Sequence, residues 1–249
     1  MKLLALDTAT ENCSAALMLD SSVQTREFEM ERGHAERILP MIDDLLSQAG
    51  LVLTDLDAIA FGRGPGSFTG VRLGTTVTQG LAFGAGLGVV AISDLQAVAQ
   101  RALDDDATRT RILVCNDARM SEVYWACYER GGDGLARLEG IEQVTQPTQV
   151  KLPASWSTAT AAGRGFIAYG DALRSAVPSV LFPATPKSEQ ALAANDPIHY
   201  LPRALEIARL AVPAVTAGRL LSPEEALPIY LRNNVVHVAQ PQKAPGQGS

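Results

Sequence analysis

The sequence lacks a long apolar run and an excess of basic residues. Its most apolar window, residues 80–92, is far shorter than the ~20 residues that a membrane-spanning helix needs. The formal net charge is −6, so no global positive field draws the chain to nucleic acid or anionic lipid. We therefore expect a partner to supply most of any contact with RNA.

The sequence also lacks a metal-binding arrangement of cysteine or histidine. Cys13, Cys115 and Cys127 are odd in number and show no C-x-x-C spacing, which is typical of buried thiols in a reducing compartment. The three histidines form neither H-x-x-x-H nor H-E-x-x-H. The amino terminus becomes acidic too soon for a secretory signal. We expect a soluble, cytoplasmic protein without a bound metal or cofactor.

The hydrophobic pattern predicts an α/β fold. The chain has 249 residues, 47% of them hydrophobic, which is enough for one large domain or two modest ones. Residues 3–92 predict three strands, a helix at about 35–49, a strand, a second helix at about 70–86 and another strand. Pro40 lies inside the first helical pattern, which predicts either a kink or a later start.

A partial repeat of this pattern predicts two lobes. The run of aspartates in residues 104–108 is the best linker, and the strand that follows ends at Asn116-Asp117, much as the first strand ends at Asp7. We expect an N-terminal lobe at 1–103, a C-terminal lobe at 104–239 and a disordered tail at 240–249. A last helix at about 197–212, capped by Asp196-Pro197, is expected to pack back on the first lobe.

The glycine-rich segment G-R-G-P-G-S-F-T-G-V-R at 62–72 predicts a tight turn between a strand and a helix. One interpretation is an anion site at the helix N-terminus, although the P-loop lysine is absent. The other is a turn that lets the helix pack closely, which we favour. The candidates for an anion- or nucleotide-binding site are Asp7, Thr8, Gly64, Gly66 and Ser67.

Small residues recur every four positions along the helix that follows. One stripe contains Gly70, Gly74 and Thr78, and an adjacent stripe contains Gly80 and Gly84. Each glycine costs a helix about 0.8–1 kcal/mol relative to alanine. The stripes therefore predict that a neighbouring backbone approaches this helix closely.

Five segments together resemble the TsaB (YeaZ) family of bacterial tRNA threonylcarbamoyladenosine biosynthesis proteins. They are L-A-L-D-T-A-T at 4–10, R-I-L-P at 37–40, the glycine-rich segment at 62–72, D-A-R-M-S-E-V-Y-W at 117–125 and P-I-Y-L-R at 228–232. The resemblance covers roughly residues 1–235. It implies two ribonuclease-H-like lobes of the actin/Hsp70/sugar-kinase superfamily.

The resemblance also implies a role. Members act with a catalytic paralogue, TsaD, and an ATPase, TsaE, in adding threonylcarbamoyl to the adenosine beside the anticodon of ANN-decoding tRNAs. The H-x-x-x-H metal motif of TsaD aligns with Asp94 and Val98 here, so the resemblance implies a non-catalytic scaffold that contacts tRNA only through the complex. It would form a homodimer alone, pair with TsaD and support TsaE docking.

The same family picture places the pairing surface on the first two helices. A bulky residue at Gly74 is then expected to abolish pairing without unfolding the protein. Two alternatives remain open from the residues: a stand-alone nucleotide-dependent phosphotransferase that uses Asp7 and the glycine turn, and a glycopeptidase-like metalloprotease. The expected interface residues are Ile38, Met41, Ile42, Leu45, Gly70, Gly74 and Thr78.

Overall fold

The computed structural model describes residues 1–30, 32–182 and 196–232. Within these residues the chain forms two lobes, each built on a five-stranded mixed sheet. The predicted tail at 240–249 and the last residues of the predicted C-terminal lobe lie outside the described residues. No helix in the described ranges is both long and apolar enough to cross a bilayer.

The first lobe follows the predicted order of strands and helices. Its sheet has the order β3-β2-β1-β4-β5, in which β1 is antiparallel to β2 and parallel to β4. The elements are β1 Lys2–Asp7, β2 Asn12–Leu19, β3 Ser22–Glu29, α1 His34–Ala49, β4 Ala58–Gly62, α2 Phe68–Ala85, β5 Gly88–Ile92 and α3 Asp94–Asp104.

The second lobe repeats this topology. Its sheet has the order β10-β9-β6-β7-β8, and the leading strand β6 is antiparallel to β7 and parallel to β9. The prediction of two ribonuclease-H-like lobes is therefore confirmed. The elements are β6 Arg111–Asp117, β7 Val123–Arg130, β8 Ala136–Thr145, β9 Ala159–Ala162, α4 Gly165–Ala168, α5 Gly170–Ala176, β10 Val180–Leu181 and α6 Ala204–Thr216.

One of the two proline-containing helices starts as predicted and the other does not. Helix α1 begins at His34 and contains Pro40, so the later start is wrong. Asp196 and Pro197 begin a short 3-10 turn, in which Asp196 Oδ1 accepts a hydrogen bond from the N–H of Ile198 at 3.1 Å. Helix α6 starts only after Pro202, because proline disfavours the helical conformation of the residue that precedes it.

Apolar layers cover both faces of the first sheet. Helices α1 and α2 lie on one face, where Ile38 and Ala82 pack with Leu4 and Phe61. Helices α3 and α6 lie on the other, where Ala97 and Ile207 pack with strand residues. The last helix of the described chain thus belongs structurally to the first lobe.

Candidate functional site

A cleft of about 760 Å³ separates the two lobes. On the first lobe it is lined by Thr8, the glycine turn and the first turn of α2. On the second lobe it is lined by Asn116, Asp117 and the turn that follows them. In both lobes the leading strand therefore ends at the cleft, which places the two predicted aspartate-bearing turns near the same opening.

Two backbone N–H groups of the glycine turn are bonded within the protein. The N–H of Gly64 donates to Asp94 Oδ2 at 2.5 Å, and the N–H of Ser67 donates to the carbonyl of Ala9 at 2.7 Å. Ser67 Oγ caps α2 by accepting from the N–H of Gly70 at 3.1 Å. These donors are already satisfied, so the arrangement favours the packing interpretation over anion binding.

At Gly66 the turn has no room for a Cβ. A Cβ on Gly66 would lie 2.5 Å from the carbonyl oxygen of Ala9. Gly66 therefore allows the turn to lie directly on the backbone that follows β1. Of the five candidates for anion binding, Thr8, Gly66 and Ser67 line the cleft, whereas Asp7 is completely buried beneath it.

The stripe of Gly70, Gly74 and Thr78 faces the protein's own interior. All three residues are buried. A Cβ on Gly70 would lie 2.1 Å from the carbonyl oxygen of Thr8, and one on Gly74 would lie 2.9 Å from Thr8 Oγ1. The expectation that this stripe is free to receive a partner is wrong, because the neighbouring backbone is that of the turn after β1. A leucine at Gly74 would disturb the fold itself.

The expected interface residues of α1 are also internal. Each is at most 5% exposed and belongs to the core between α1, α2 and the first sheet. The sequence pattern identified the apolar face of the helix correctly but assigned it to the wrong partner. These residues are Ile38, Met41, Ile42 and Leu45.

The second stripe of small residues lies on the exposed outer face of α2. Gly80 and Gly84 are exposed, and a Cβ at either position would meet no atom within 4 Å. Thr76 is exposed beside them, and Phe83 is 72% exposed. The spacing of the second small-residue stripe was visible in the sequence, but spacing alone does not tell which stripe faces outward.

Beneath the glycine turn, Asp7 and Asp94 form a fully buried carboxyl pair. Both side chains are 0% exposed. Asp7 Oδ1 accepts from the N–H of Ala9 at 2.9 Å, and a Cβ on Gly62 would lie 2.2 Å from Asp94 Oδ1 and 2.6 Å from Asp7 Oδ1. Glycine is therefore the residue that fits above this pair.

Burial changes the proton affinity of both acids. Loss of hydration raises the pKa of Asp7 from 3.8 to about 6. Loss of hydration, together with the charge of Asp7, raises the pKa of Asp94 well above its ordinary value. Asp7 Oδ2 and Asp94 Oδ1 accept no hydrogen bond from any donor among the described residues. The negative charge of Asp7 favours the protonated form of Asp94, so Asp94 is the acid that keeps its proton to the higher pH. Sequence analysis missed this pair, although each acid follows a parallel strand of the same sheet.

The two residues that align with the histidines of the TsaD metal motif do not reach the cleft. Asp94 and Val98 are both buried in the interior. In the described ranges, 1–30, 32–182 and 196–232, no group of three His, Cys, Asp or Glu side chains is arranged to hold a metal ion. Asp94 belongs to the acid pair, and Val98 packs in the apolar core between α3 and the second sheet.

The turn on the second lobe has an unusual backbone. Arg119, Met120 and Ser121 all have positive φ, at 61°, 55° and 59°. Asp117 Oδ1 supports the turn by accepting from the N–H of Arg119 at 2.8 Å. Because non-glycine residues disfavour this conformation, surrounding contacts must hold the turn in place.

Comparison with known proteins gives consistent matches over most of the chain. Residues 28–218 match the family model described as TsaD: tRNA N6-adenosine threonylcarbamoyltransferase. The tRNA threonylcarbamoyladenosine biosynthesis protein TsaB of Escherichia coli K12 is 40% identical over 98% of this chain and 100% of its own length. TsaB of Haemophilus influenzae is 39% identical over 99% of this chain and 98% of its own length.

The solved structures agree with these matches. YeaZ from Pseudomonas aeruginosa has a TM-score of 0.79 and 40% identity, covering 92% of this chain and 99% of that one. A second P. aeruginosa structure, described as similar to peptidase YEAZ, has the same TM-score and identity. The matches cover nearly all of this chain and nearly all of each relative, and the sequence and the fold indicate the same family. The chain belongs to the TsaB (YeaZ) family of tRNA threonylcarbamoyladenosine biosynthesis proteins.

Proposed function

We propose that this protein is a non-catalytic scaffold subunit in the synthesis of threonylcarbamoyladenosine in ANN-decoding tRNAs. Membership of the TsaB family supports participation in that pathway. In this proposal the chain forms a homodimer alone, pairs with TsaD in the working complex and supports docking of TsaE. tRNA contacts it only through the complex, which agrees with the net charge of −6.

One observation carries the pairing proposal. Gly80 and Gly84 lie inside α2, where each costs the helix about 0.8–1 kcal/mol relative to alanine. Unlike Gly70 and Gly74, they relieve no contact within the protein, since a Cβ there meets nothing within 4 Å. The described packing of the chain gives no reason for these two glycines, whereas close approach of a second helix would.

The surroundings of these glycines suit a helix–helix contact. Phe83, which lies between the two glycines in sequence, is 72% exposed on the same helix. An exposed large apolar side chain next to a side-chain-free stripe supplies contact area and allows close backbone approach. A self-pairing of this kind would be isologous, and a paralogue of the same fold could replace the second copy.

Two features of the glycine turn count against the phosphotransferase alternative. The P-loop lysine is absent, and the N–H groups of Gly64 and Ser67 bond to Asp94 and Ala9. Titration calorimetry with ATP and magnesium on the isolated protein tests this alternative, which tight one-to-one binding would favour. Metal analysis of the purified protein tests the metalloprotease alternative, which stoichiometric zinc or iron would favour.

The pairing surface is tested by adding bulk where the monomer has room for it. Gly80→Arg and Gly84→Arg place a long side chain on the outer face of α2. We expect at least a tenfold loss of affinity for TsaD from the same organism, and a matching loss of threonylcarbamoyladenosine in a reconstituted modification assay. Melting temperature reports whether the monomer remains folded.

Gly132→Arg is the matched control. Gly132 lies in the second lobe, and a Cβ there also meets nothing within 4 Å. This variant should pair with TsaD as the wild type does. Unchanged pairing of both α2 variants would contradict the proposed surface, and full modification in the absence of this subunit would contradict its role.

A further inference from the structure

The end of the described chain runs as a strap around the first lobe. After α6, Leu221 exchanges two backbone hydrogen bonds of 2.9 Å with Val89 on the edge strand β5. Ala226 then accepts a hydrogen bond at 2.8 Å from Gln79 of α2. The strap therefore passes from one face of the first sheet, across its edge, to the helix on the other face.

The strap next crosses the glycine turn. The N–H of Ile229 donates to the carbonyl of Arg63 at 2.8 Å. Arg72 Nε donates to the hydroxyl of Tyr230 at 2.7 Å, while the Arg72 guanidinium lies over the ring of Phe68. Tyr230 lines the interlobe cleft, so the strap forms part of the cleft rim.

The strap reaches the second lobe through Arg232. Its guanidinium forms an ion pair with Glu122 and donates to the carbonyl of Ala118 at 3.2 Å. It also contacts the sulfur of Met120 at 3.1 Å. One side chain thus holds both ends and the tip of the turn at 118–122.

That turn is the strained element described above. Arg119, Met120 and Ser121 are three consecutive non-glycine residues in the left-handed region. Such a conformation persists only when neighbouring contacts fix it. Among the described residues, Arg232 supplies such contacts from outside the second lobe, and Arg119 forms a longer pair with Glu11 of the first lobe at 3.7 Å.

We propose that Arg232 is a latch: it clamps the left-handed turn at 119–121 to the strap and thereby holds the two lobes closed over the cleft. When the Arg232 contacts break, the turn relaxes and the cleft opens. Two other ion pairs, Arg63–Glu142 and Arg164–Glu29, also join the lobes. These ion pairs lie elsewhere on the interface, as does the buried apolar core that α3 shares with the second sheet. None of these contacts includes a residue of the strained turn, so the lobes stay joined there when the Arg232 contacts are lost.

The opening is measured as a distance between spin labels on the two lobes. Asp43→Cys on α1 and Ser175→Cys on α5 provide exposed label sites, and the native cysteines are buried. Arg232→Ala should shift or broaden the distance distribution by several ångströms. Arg111→Ala removes the ion pair to Glu129 within the second lobe and should leave the distribution unchanged.

A second background tests whether strain drives the opening. Ser121→Gly allows the left-handed conformation without a side chain, so the turn should persist without its clamp. In the Ser121→Gly protein, Arg232→Ala should change the distance between the spin labels by less than half as much as it does when Ser121 is present. Equal opening in both backgrounds would overturn the role of strain, and an unchanged distance in Arg232→Ala itself would overturn the latch.

Discussion

Replacing Asp94 with asparagine should stabilise the protein at neutral pH, although Asp94 is buried and hydrogen-bonded. Asparagine has the shape of the protonated acid. Its carbonyl oxygen can accept from the N–H of Gly64, as Asp94 Oδ2 does at 2.5 Å. Its amide can donate to Asp7. The titratable proton of Asp94 is then replaced by a donor that does not titrate.

The sign follows from the raised pKa values. In the folded protein Asp94 keeps its proton well above pH 3.8, and Asp7 titrates at about 6. Above pH 3.8 the folded state therefore binds more protons than the unfolded state, so the free energy of unfolding falls as pH rises. The stabilisation from these protons is fully present below the pKa of each acid in the unfolded state. It is lost as the pH rises through the pKa of each acid in the folded state.

The magnitude comes from the same linkage. Each pH unit over which Asp94 is protonated only in the folded state changes stability by about 1.4 kcal/mol. From pH 4 to pH 7 the upper limit is thus about 4 kcal/mol, and local relaxation reduces it. We expect Asp94→Asn to exceed the wild type by about 2 kcal/mol at pH 7 and by little at pH 4.

Urea unfolding at several pH values measures this difference. The quantity to plot is the free energy of unfolding of Asp94→Asn minus that of the wild type. Asp43→Asn, on the exposed side of α1, controls for the loss of one negative charge. A difference that stays constant between pH 4 and pH 7 would refute the claim that Asp94 keeps its proton in the folded protein. A variant less stable than the wild type at pH 7 would refute it as well.

Two further predictions concern the glycines and the thiols. Gly70→Ala should destabilise the protein by about 3 kcal/mol through overpacking, because its Cβ would lie 2.1 Å from the Thr8 carbonyl oxygen. Gly84→Ala should instead stabilise the monomer by up to about 1 kcal/mol in urea unfolding. Equal effects of the two substitutions would contradict the assignment of one stripe to the interior and the other to the surface. Burial raises the pKa of Cys13 to about 11 and that of Cys127 to about 12. A thiol reagent at pH 8 should therefore label neither cysteine in the folded protein, and rapid labelling would contradict their burial.

Local sequence patterns predicted the helices and strands well, because apolar residues recur about every 3.6 positions in a helix and every second position in a strand. Helix α2 was expected at about 70–86 and spans Phe68–Ala85, and the strand expected after it is β5. The repeated strand-then-aspartate pattern also predicted the second lobe, whose sheet has the topology of the first. Helix α6 was predicted too early because Asp196-Pro197 is a good cap for a 3-10 turn as well as for an α-helix.

Which face of a helix points into the protein depends on contacts with residues that are distant in the sequence. Sequence spacing shows that Gly70 and Gly74 share a face and that Gly80 and Gly84 share another. It does not show that Thr8, more than sixty positions earlier, lies against the first of these faces. The acid pair was accessible in part, since Asp7 ends β1 and Asp94 follows β5, and carboxyl ends of parallel strands meet at one edge of a sheet.

The position of α6 has a consequence for synthesis of the chain. Strand residues Leu3 and Ala5 and the helical residues Ile207 and Ala211 share one apolar layer, and Ser14 Oγ accepts from the N–H of Ala204 at 2.9 Å. A nascent chain that has emerged only as far as α3 must therefore leave part of that layer uncovered. Residues 1–103 produced alone should aggregate, and the amino-terminal half should reach its final form only after α6 has left the ribosome.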